Sequence, residues 1–405
     1  MLKLNPKILI VSECFYPEEF KINDVAFQWV KDGYDVDILT LIPSYPKGKI
    51  YPKYKNRIFL KENINGVNVY RFWAVLGYKN SKIKKILKYI NFMVIGSVFA
   101  VLIGKKYQHI FGFNLGALSD MLPAVLIRKI YKKPLTLWVQ DIWPDSVYAY
   151  GFKKTKSFSF LLNNFVKFIF YNVDNIAISS KGFESSLVNY TKLDTKFHYF
   201  PNWADDLNHE LKPMILSADK RIHFTFAGNV GKVQNLENII EAFSLLPKSY
   251  LINSQLNIIG DGSHLNFLKS ITRENIPIFF HGGVDRDLMA KYYKGSDFLI
   301  ISLINKPIFA LTVPAKLQTY IAAKKPILAI INGETADIVK DNNLGLCSQP
   351  EDIASIGEIF KQCINMSTDD KEKFLTNNDE LLRNLFDKKK IIDGLLDITT
   401  SLQKK

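Results

Sequence analysis

The chain has 405 residues, of which 47% are apolar and 23% are charged. This length exceeds what one hydrophobic core usually fills, and the composition excludes a disordered protein, so two folded domains of about 200 residues are expected. Residues 1–203 hold 29 Lys/Arg against 14 Asp/Glu, whereas the whole chain holds 53 against 39. The basic first half favours an anionic partner such as a lipid headgroup, a pyrophosphate or a nucleic acid.

The cysteines and histidines give no sign of a disulfide framework or a metal site. Cys14, Cys347 and Cys363 form no CxxC pair, and the six histidines show no metal-ligand spacing. We therefore expect a reduced cytoplasmic protein with no signal peptide, no metal and no cofactor. The absence of a Walker A motif, of GxGxxG and of a nucleic-acid module disfavours P-loop ATPases, simple dehydrogenases and nucleic-acid binders.

Short β-branched segments alternate with helical patterns along the first half, which predicts an open parallel sheet covered by helices. A first helix is predicted at Asn23–Lys31. The apolar run 92–103 is shorter than the roughly 20 residues of a spanning helix, which favours a buried helix, with an interfacial helix as the alternative. The predicted strands are Lys7–Ser12, Val36–Leu41, His109–Phe113, Leu135–Val139 and Asn175–Ser179. The lysines expected at the ends of the apolar run, against lipid headgroups, are Lys84, Lys85, Lys88, Lys105 and Lys106.

The pattern restarts after residue 203, so the predicted fold class is α/β, with two Rossmann-like doubly wound domains facing a central cleft. The predicted domains are residues 1–203 and 204–370, followed by a helical tail, 371–405, that could return to the first domain. The predicted strands of the second half are His223–Ala227, Gln255–Ile259, Ile278–His281, Phe298–Ile301 and Pro326–Ile330, and its helices are Asn235–Leu246, His264–Glu274, Asp287–Lys294 and Lys316–Ala323.

Three consecutive predicted strands of the second half end in glycine loops. Parallel strands end at the same edge of a sheet, and glycine lets a backbone approach a ligand closely. The loops therefore predict a nucleotide-diphosphate site, although each loop alone is equally well explained as an ordinary turn between a strand and a helix. The residues assigned to these loops are Gly228, Asn229, Gly231, Lys232, Gly260, Asp261, Gly262 and Val284.

Two further residues of the second half are candidates for the donor site. Lys316 follows Val313-Pro314-Ala315 at the start of a predicted helix and offers a second cation for phosphate. Glu334 follows the next strand, where a carboxylate could bind the hydroxyls of a sugar or a ribose. The alternatives are a lysine on a solvated helix face and an acidic residue in the first turn of a helix.

In the first half, polar and aromatic residues follow the predicted strands. Gln140, Asp141 and Trp143 come after one strand, and amide and carboxylate groups beside tryptophan are typical of carbohydrate sites. Asp141 could act as a base toward an acceptor or orient one of its hydroxyls, and the alternative is a turn in which the aspartate is a cap and the tryptophans belong to the core. The basic aromatic loop with Tyr45, Lys47 and Lys49 suits an acceptor phosphate. Glu18 and Glu19 are expected to be solvated or capping residues, with binding of acceptor hydroxyls as the alternative.

Together these segments resemble the GT-B-fold family-4 glycosyltransferases, and more narrowly the WbuB-like branch that builds O-antigen and capsular polysaccharide. The resemblance extends along nearly the whole chain and depends on the order and spacing of its motifs. The matching stretches include YPEEFKIND at 16–24, GYDVDILT at 33–40, SYPKGKIY at 44–51, DIWPDS at 141–146, FAGNVGKVQNL at 226–236, GDG at 260–262 and VPAKLQTYIAAKKPI at 313–327.

The resemblance implies a retaining, metal-independent transfer from a nucleotide sugar bound by the second domain. The donor is expected to be a UDP-sugar, with a 6-deoxy amino sugar as a hypothesis. The acceptor is expected to be a polyprenyl-diphosphate-linked saccharide on the first domain, which would make the protein peripheral to the inner face of the cell membrane. The oligomeric state is not predicted.

The chain departs from the broader family's pattern at five positions. Two glutamates of that pattern, and the Arg, Lys and His that accompany them, are replaced. Leu311 and Thr319 stand for the glutamates, Asn229 and Gln234 for the Arg and Lys of the phosphate loop, and Gln140 for the histidine before Asp141. Gln234 is accordingly assigned to the diphosphate site, and Gln140 and Asp141 are assigned as the catalytic residues. A nucleotide-sugar epimerase of the same fold and an inactive membrane-associated scaffold are the alternatives.

Overall fold

The computed structural model describes residues 6–78, 81–149, 151–205, 207 and 210–401. The chain forms two compact units, the first made of Met1–Pro201 with Lys389–Lys405 and the second of Asn202–Lys388. Each unit is a doubly wound α/β domain, which confirms the predicted fold class. The chain passes from the second unit back to the first near residue 388, within the segment 371–405 that was predicted to form one tail.

The first unit is built on an eight-stranded sheet in the order β3-β4-β2-β1-β5-β6-β7-β8. All pairings in this sheet are parallel except that of β3 with β4, which is an antiparallel hairpin turned at Asn65 and Gly66. Both turn residues have positive φ, as a two-residue hairpin turn of this type requires. The strands are β1 Lys7–Val11, β2 Asp35–Leu41, β3 Phe59–Ile64, β4 Val67–Phe72, β5 His109–Asn114, β6 Leu135–Val139, β7 Asn175–Ile178 and β8 Lys196–Tyr199.

Helices cover both faces of this sheet. The first helix, α1, shares its face with the last helix of the chain, α17, because the Trp29 indole donates to the carbonyl of Ile392 at 3.3 Å. Right-handed crossovers place α2, α3 and α5 on the opposite face. The helices are α1 Lys21–Lys31, α2 Lys82–Gly104, α3 Leu122–Tyr131, α4 Asp145–Ala149, α5 Lys156–Tyr171, α6 Phe183–Leu187 and α17 Lys388–Thr400, with short 3-10 helices at Leu118–Met121 and Val188–Tyr190.

The apolar run of the sequence belongs to a longer helix than expected. Within α2, the 22 residues Ile83–Gly104 are long and apolar enough to cross a membrane by length and composition alone. The prediction that this segment is too short to span a membrane is therefore wrong. The helix is also not wholly buried, because one face packs on the sheet while the other is exposed.

The second unit contains a six-stranded parallel sheet in the order β11-β10-β9-β12-β13-β14. Phenylalanines of β9, α7 and α14 form its centre, where the ring of Phe224 lies 4.8 Å from that of Phe360 and the ring of Phe243 lies 5.3 Å from it. The strands are β9 Ile222–Ala227, β10 Ser254–Ile259, β11 Ile278–Gly282, β12 Phe298–Ser302, β13 Ile327–Ile330 and β14 Gly345–Ser348. The helices are α7 Leu236–Ser244, α8 Lys248–Leu251, α9 Leu265–Ile271, α10 Met289–Gly295, α11 Pro307–Ala310, α12 Lys316–Ala322, α13 Glu334–Asp341, α14 Ile353–Ile364, α15 Thr368–Lys373 and α16 Asn378–Asn384, with 3-10 helices at Lys232–Gln234 and Arg286–Leu288.

Candidate active site

Six loops, one after each parallel strand, lie at one edge of the second unit's sheet. Because β11, β10 and β9 are adjacent, the three glycine loops lie next to one another. At about 4.8 Å per strand, the outer two of these three strands are about 10 Å apart. The strand order therefore brings the predicted donor residues to a single edge, where open α/β sheets bind their ligands.

The loops after β9 and β10 are bonded to each other along their backbones. The Gly228 N–H donates to the carbonyl of Ile259 at 2.9 Å, and the Val230 N–H donates to that of Asp261 at 3.0 Å. A Cβ at Gly260 would lie 1.8 Å from the oxygen of Gly228, and a Cβ at Gly262 would lie 2.2 Å from that of Val230. Glycine is needed at both positions because the neighbouring loop occupies the space of a side chain.

Lys316, at the start of α12, is the main cation at this edge. Its Nζ lies 3.8 Å from the centre of the Phe226 ring and donates to Oε1 of Gln234 at 3.2 Å. Burial lowers the pKa of Lys316 from its usual value of 10.5 to about 7. In the part of the chain that the structure describes, no carboxylate lies within ion-pair distance of this ammonium group. Among the described residues, this half-buried and largely desolvated cation therefore has no anionic partner.

Gly228 makes this position of Lys316 possible. A Cβ at Gly228 would lie 2.6 Å from Cε of Lys316 and 2.8 Å from its Nζ, and the φ of Gly228 is +140°. Any side chain at this position would displace the ammonium group. Because Gly228 has no side chain, the ammonium group of Lys316 can lie against the loop that follows β9.

The loop after β9 is partly exposed, since Val230 and Gly231 are buried but the residues beside them are not. Asn229 and Lys232 are exposed, and Gly231 begins the 3-10 helix that carries Lys232 and Gln234. Among the described residues, the backbone N–H groups of Asn229 and Gly231 have no hydrogen-bond partner. Two free N–H groups beside two lysines form a suitable environment for an anion.

The other predicted donor residues lie at the same edge but do not form one cluster. Asp261 is exposed and accepts from the N–H of Gly262 at 2.8 Å, and Val284 is half-buried after β11. Glu334 is half-buried in the first turn of α13, two strands away from β9 on the other side. Thr319, which stands for a family glutamate, is buried and accepts from the N–H of Asp205 at 3.3 Å. This threonine supplies no carboxylate.

In the first unit, the acceptor-side loop after β2 is held by a buried carboxylate. Glu18 accepts hydrogen bonds from the N–H groups of Ser44 and Tyr45, at 2.8 and 2.7 Å. Burial raises the pKa of Glu18. Glu18 is therefore a capping residue, as one of the two expectations had it, but it is not solvated. Tyr45, Lys47 and Lys49 are exposed on the loop that it supports.

Asp141 lies just after the end of β6, three strands away from that loop. Its Oδ1 accepts from the N–H of Ile142 at 3.0 Å, and burial raises its pKa to about 6. Gln140 and Trp143 are half-buried on either side of it. A carboxylate with a pKa near neutrality is suited to accept a proton.

The first unit also contains a buried ionic cluster that the sequence did not predict. Lys88 of α2 lies 2.7 Å from Oε1 of Glu13, and its Nζ lies 4.3 Å from the centre of the Tyr78 ring. Asp120 is buried nearby, and burial together with Glu13 raises its pKa well above the usual range. Lys88 is therefore not a lysine at a lipid headgroup, as was expected, because it neutralises Glu13 inside the unit. The feature of the sequence that could have indicated this pair is that Lys88 falls on the buried face of an otherwise apolar helix.

A cavity of about 330 Å³ lies at the other edge of the first unit's sheet, by the amino ends of β6, β7 and β8. Its cations include Arg128, which is already bonded to both oxygens of Asp174, at 2.7 and 2.9 Å. Arg128 is in the last turn of α3 and Lys132 follows it, where cations offset the exposed carbonyls of a helix end. This cavity is separate from the candidate site.

The described residues include no group of three or more His, Cys, Asp or Glu side chains placed to hold a metal ion. Within this part of the chain, the loops at the carboxyl ends of the strands in the two sheets offer ammonium, amide, carboxyl and backbone N–H groups. These groups can bind a diphosphate, orient hydroxyls and accept a proton.

Most of the second unit is similar to a known protein family. Residues 208–380 match the family described as "Glycosyl transferases group 1". The chain is 25% identical over 239 residues to the "Probable glycosyltransferase WbjE" of Pseudomonas aeruginosa, covering 56% of this chain and 58% of that protein. It is 24% identical over 276 residues to the "Putative colanic acid biosynthesis glycosyl transferase WcaI" of Escherichia coli K12, covering 63% and 66%. The matches thus span less than two thirds of the length of these relatives.

A solved structure extends the likeness to both units. HepE of Anabaena, in complex with UDP and glucose, superposes with a TM-score of 0.67 at 13% identity, covering 98% of this chain and 100% of that chain. At this identity the superposition shows the fold. The chain therefore has the fold of GT-B glycosyltransferases, and its residues 208–380 match the group 1 glycosyl transferases.

Proposed function

We propose that the protein is a glycosyltransferase that moves a sugar from a UDP-linked donor to a polyprenyl-diphosphate-linked saccharide during synthesis of a surface polysaccharide. The observation that carries this proposal is Lys316, a desolvated cation with no carboxylate partner among the described residues. A diphosphate would supply the missing anion. The UDP found with HepE and the colanic acid pathway in the name of WcaI support the choice of donor and process.

In the proposed reaction, the bond between the anomeric carbon and the β-phosphate oxygen breaks, and its electron pair goes to the diphosphate. Lys316, Lys232 and the N–H groups of Asn229 and Gly231 stabilise the charge that develops there. The acceptor hydroxyl forms the new bond, and its proton passes to the Asp141 carboxylate. We propose that the transfer retains the configuration of the sugar and needs no metal, and we keep a 6-deoxy amino sugar as the hypothetical donor.

A transfer assay tests this proposal. The purified protein is incubated with a panel of UDP- and GDP-sugars and a polyprenyl-diphosphate saccharide, and we expect product with one UDP-sugar. Conversion of the donor without any acceptor would instead identify an epimerase. Binding of a nucleotide sugar without turnover of any donor would contradict the proposal and support a scaffold.

The role of Asp141 predicts a pH dependence. Because burial raises its pKa to about 6, the ionised base is lost as the pH falls below that value, so kcat/KM should fall about tenfold per pH unit there. Asp141→Asn keeps an acceptor for the N–H of Ile142, so the fold should persist while kcat/KM drops on the order of 100-fold. The variant should also lose the acidic limb of the pH profile.

The matched control for this prediction is Asp145→Asn, which removes an exposed carboxylate at the start of α4. This control should retain both the rate and the acidic limb. If Asp141→Asn behaves like the control, Asp141 only caps the loop and another group accepts the proton.

A further inference from the structure

One face of α2 carries a continuous row of exposed apolar side chains. They recur every three or four residues, so they lie along one side of a helix of 23 residues, about 35 Å long. Each of them is between 44% and 73% exposed. A row of this length is larger than the isolated apolar groups that are normal on a surface. We call it the apolar stripe, and its members are Ile83, Leu87, Ile90, Val94, Val98 and Leu102.

The opposite face of α2 is part of the core of the first unit. Phe92 and Ala100 are fully buried, the Asn91 amide donates to the carbonyl of Trp73 at 2.9 Å, and Lys88 pairs with Glu13. A Cβ at Gly104 would lie 2.8 Å from the side chain of Ile127, so α2 packs closely on α3. A helix with this buried polar face cannot be surrounded by lipid. The structure therefore favours a helix lying in the plane of an interface over a spanning helix.

The charges around the stripe are of one sign. Lys84 and Lys85 are exposed at its start and Lys105 just after its end. Residues 63–119 contain no Asp or Glu. A flat apolar surface bounded by lysines complements the headgroups of an anionic bilayer, whereas a second copy of the same surface would bring like charges together.

A second helix on the same face of the sheet has the same character. Phe160 and Leu161 of α5 are exposed, and Lys153, Lys154 and Lys156 are exposed at the start of this helix. Residues 146–173 also contain no Asp or Glu. The apolar and basic character thus belongs to this whole side of the first unit.

We propose that this side of the first unit is a lipid-binding surface, on which α2 lies in the headgroup region of an anionic bilayer with its apolar stripe toward the acyl chains. This inference deepens the proposed function, and rests on it only in that a lipid-linked acceptor would lie in the same bilayer. Contact with the bilayer would bring the protein to its acceptor by two-dimensional diffusion.

Flotation with vesicles tests the inference. The full chain should float with vesicles of phosphatidylcholine containing phosphatidylglycerol, and at least tenfold less with phosphatidylcholine alone. The variant Val94→Asp/Val98→Asp should lose at least 90% of the binding to anionic vesicles. The control Leu245→Asp/Ile252→Asp places the same two charges on exposed apolar sites of the second unit and should float like the wild type.

Three outcomes would overturn the inference. The wild type could fail to float, both double variants could float equally, or light scattering could show a dimer that the α2 variant alone converts to a monomer without any vesicle binding. Transfer to a short-chain, water-soluble acceptor separates this test from that of the proposed function. The α2 variant should keep that activity. Loss of flotation together with retained transfer would therefore report on the lipid-binding surface and not on the proposed transfer reaction.

Discussion

Lys316→Met should reduce the affinity for UDP by about 100- to 1,000-fold. Methionine keeps the contact with Phe226 but removes the ammonium group, and a charge-assisted hydrogen bond in a desolvated site contributes about 1.5–3 kcal/mol, with more lost when the phosphate is left unpaired. Isothermal titration calorimetry of wild type and variant at pH 6.5 measures the loss. Lys340→Met, which removes an exposed lysine at the end of α13, should bind UDP like the wild type.

The lowered pKa of Lys316 adds a pH test to this prediction. UDP-glucose is a suitable probe because both of its phosphates are diesters and keep their charge near neutrality. Its affinity should fall by up to tenfold per unit as the pH rises above about 7, where Lys316 loses its proton. Lys316→Met should show no such fall, and a wild-type affinity that is flat from pH 6 to 9 would contradict the assignment.

The deprotonation of Lys316 does not destabilise the fold, so unfolding caused by this group cannot explain the fall in UDP-glucose affinity above pH 7. The folded state releases the proton of Lys316 near pH 7, whereas the unfolded chain keeps it up to about 10.5. Between these values the unfolded state binds more protons, so the contribution of this group to stability rises with pH. Weaker donor binding above pH 7 therefore reports on the site.

Gly260→Ala should lower the free energy of unfolding by about 3 kcal/mol or more and abolish donor binding. Its φ of +136° disfavours any side chain, and the new Cβ would lie 1.8 Å from a backbone oxygen of the loop after β9. Relief of this clash must separate the two loops that carry the predicted diphosphate site. Urea unfolding followed by circular dichroism measures the change in stability.

The matched control is Gly282→Ala, a glycine of the neighbouring loop. It also has positive φ, +70°, but a Cβ there meets no atom within 4 Å. Backbone strain alone should lower the free energy of unfolding by about 1–2 kcal/mol, so the urea concentration at the midpoint of unfolding should fall only modestly. Equal destabilisation by the two substitutions would mean that the contact between the loops is not what requires Gly260.

The fold was predictable where the sequence pattern is local. Buried parallel strands such as β1 and β9 are short apolar runs, and the alternation of strands with helices identified two doubly wound domains. The β3–β4 hairpin was missed because β3 alternates between exposed and half-buried residues and has no apolar run. The sequence left open whether the tail 371–405 returns to the first domain. Only its last helix, α17, does so, through contacts such as that between Trp29 and Ile392, 363 residues apart, which no local pattern encodes.

The candidate site was predictable in its location and only partly in its chemistry. The glycine loops and Lys316 follow from strand ends that parallel topology brings together. The structure adds that Gly260 and Gly262 make room for a neighbouring loop, which local sequence does not reveal. The pair of Glu13 and Lys88 joins residues 75 positions apart, so sequence reasoning placed Lys88 at a membrane although it lies in the core.

The most direct test of the account compares UDP with uridine by calorimetry at pH 6.5, on the wild type and on Lys316→Met. If the edge of the second unit's sheet binds a diphosphate, UDP should bind the wild type at least about 100-fold more tightly than uridine, and the variant should lose most of that difference. Equal affinities of the wild type for UDP and uridine would contradict the account.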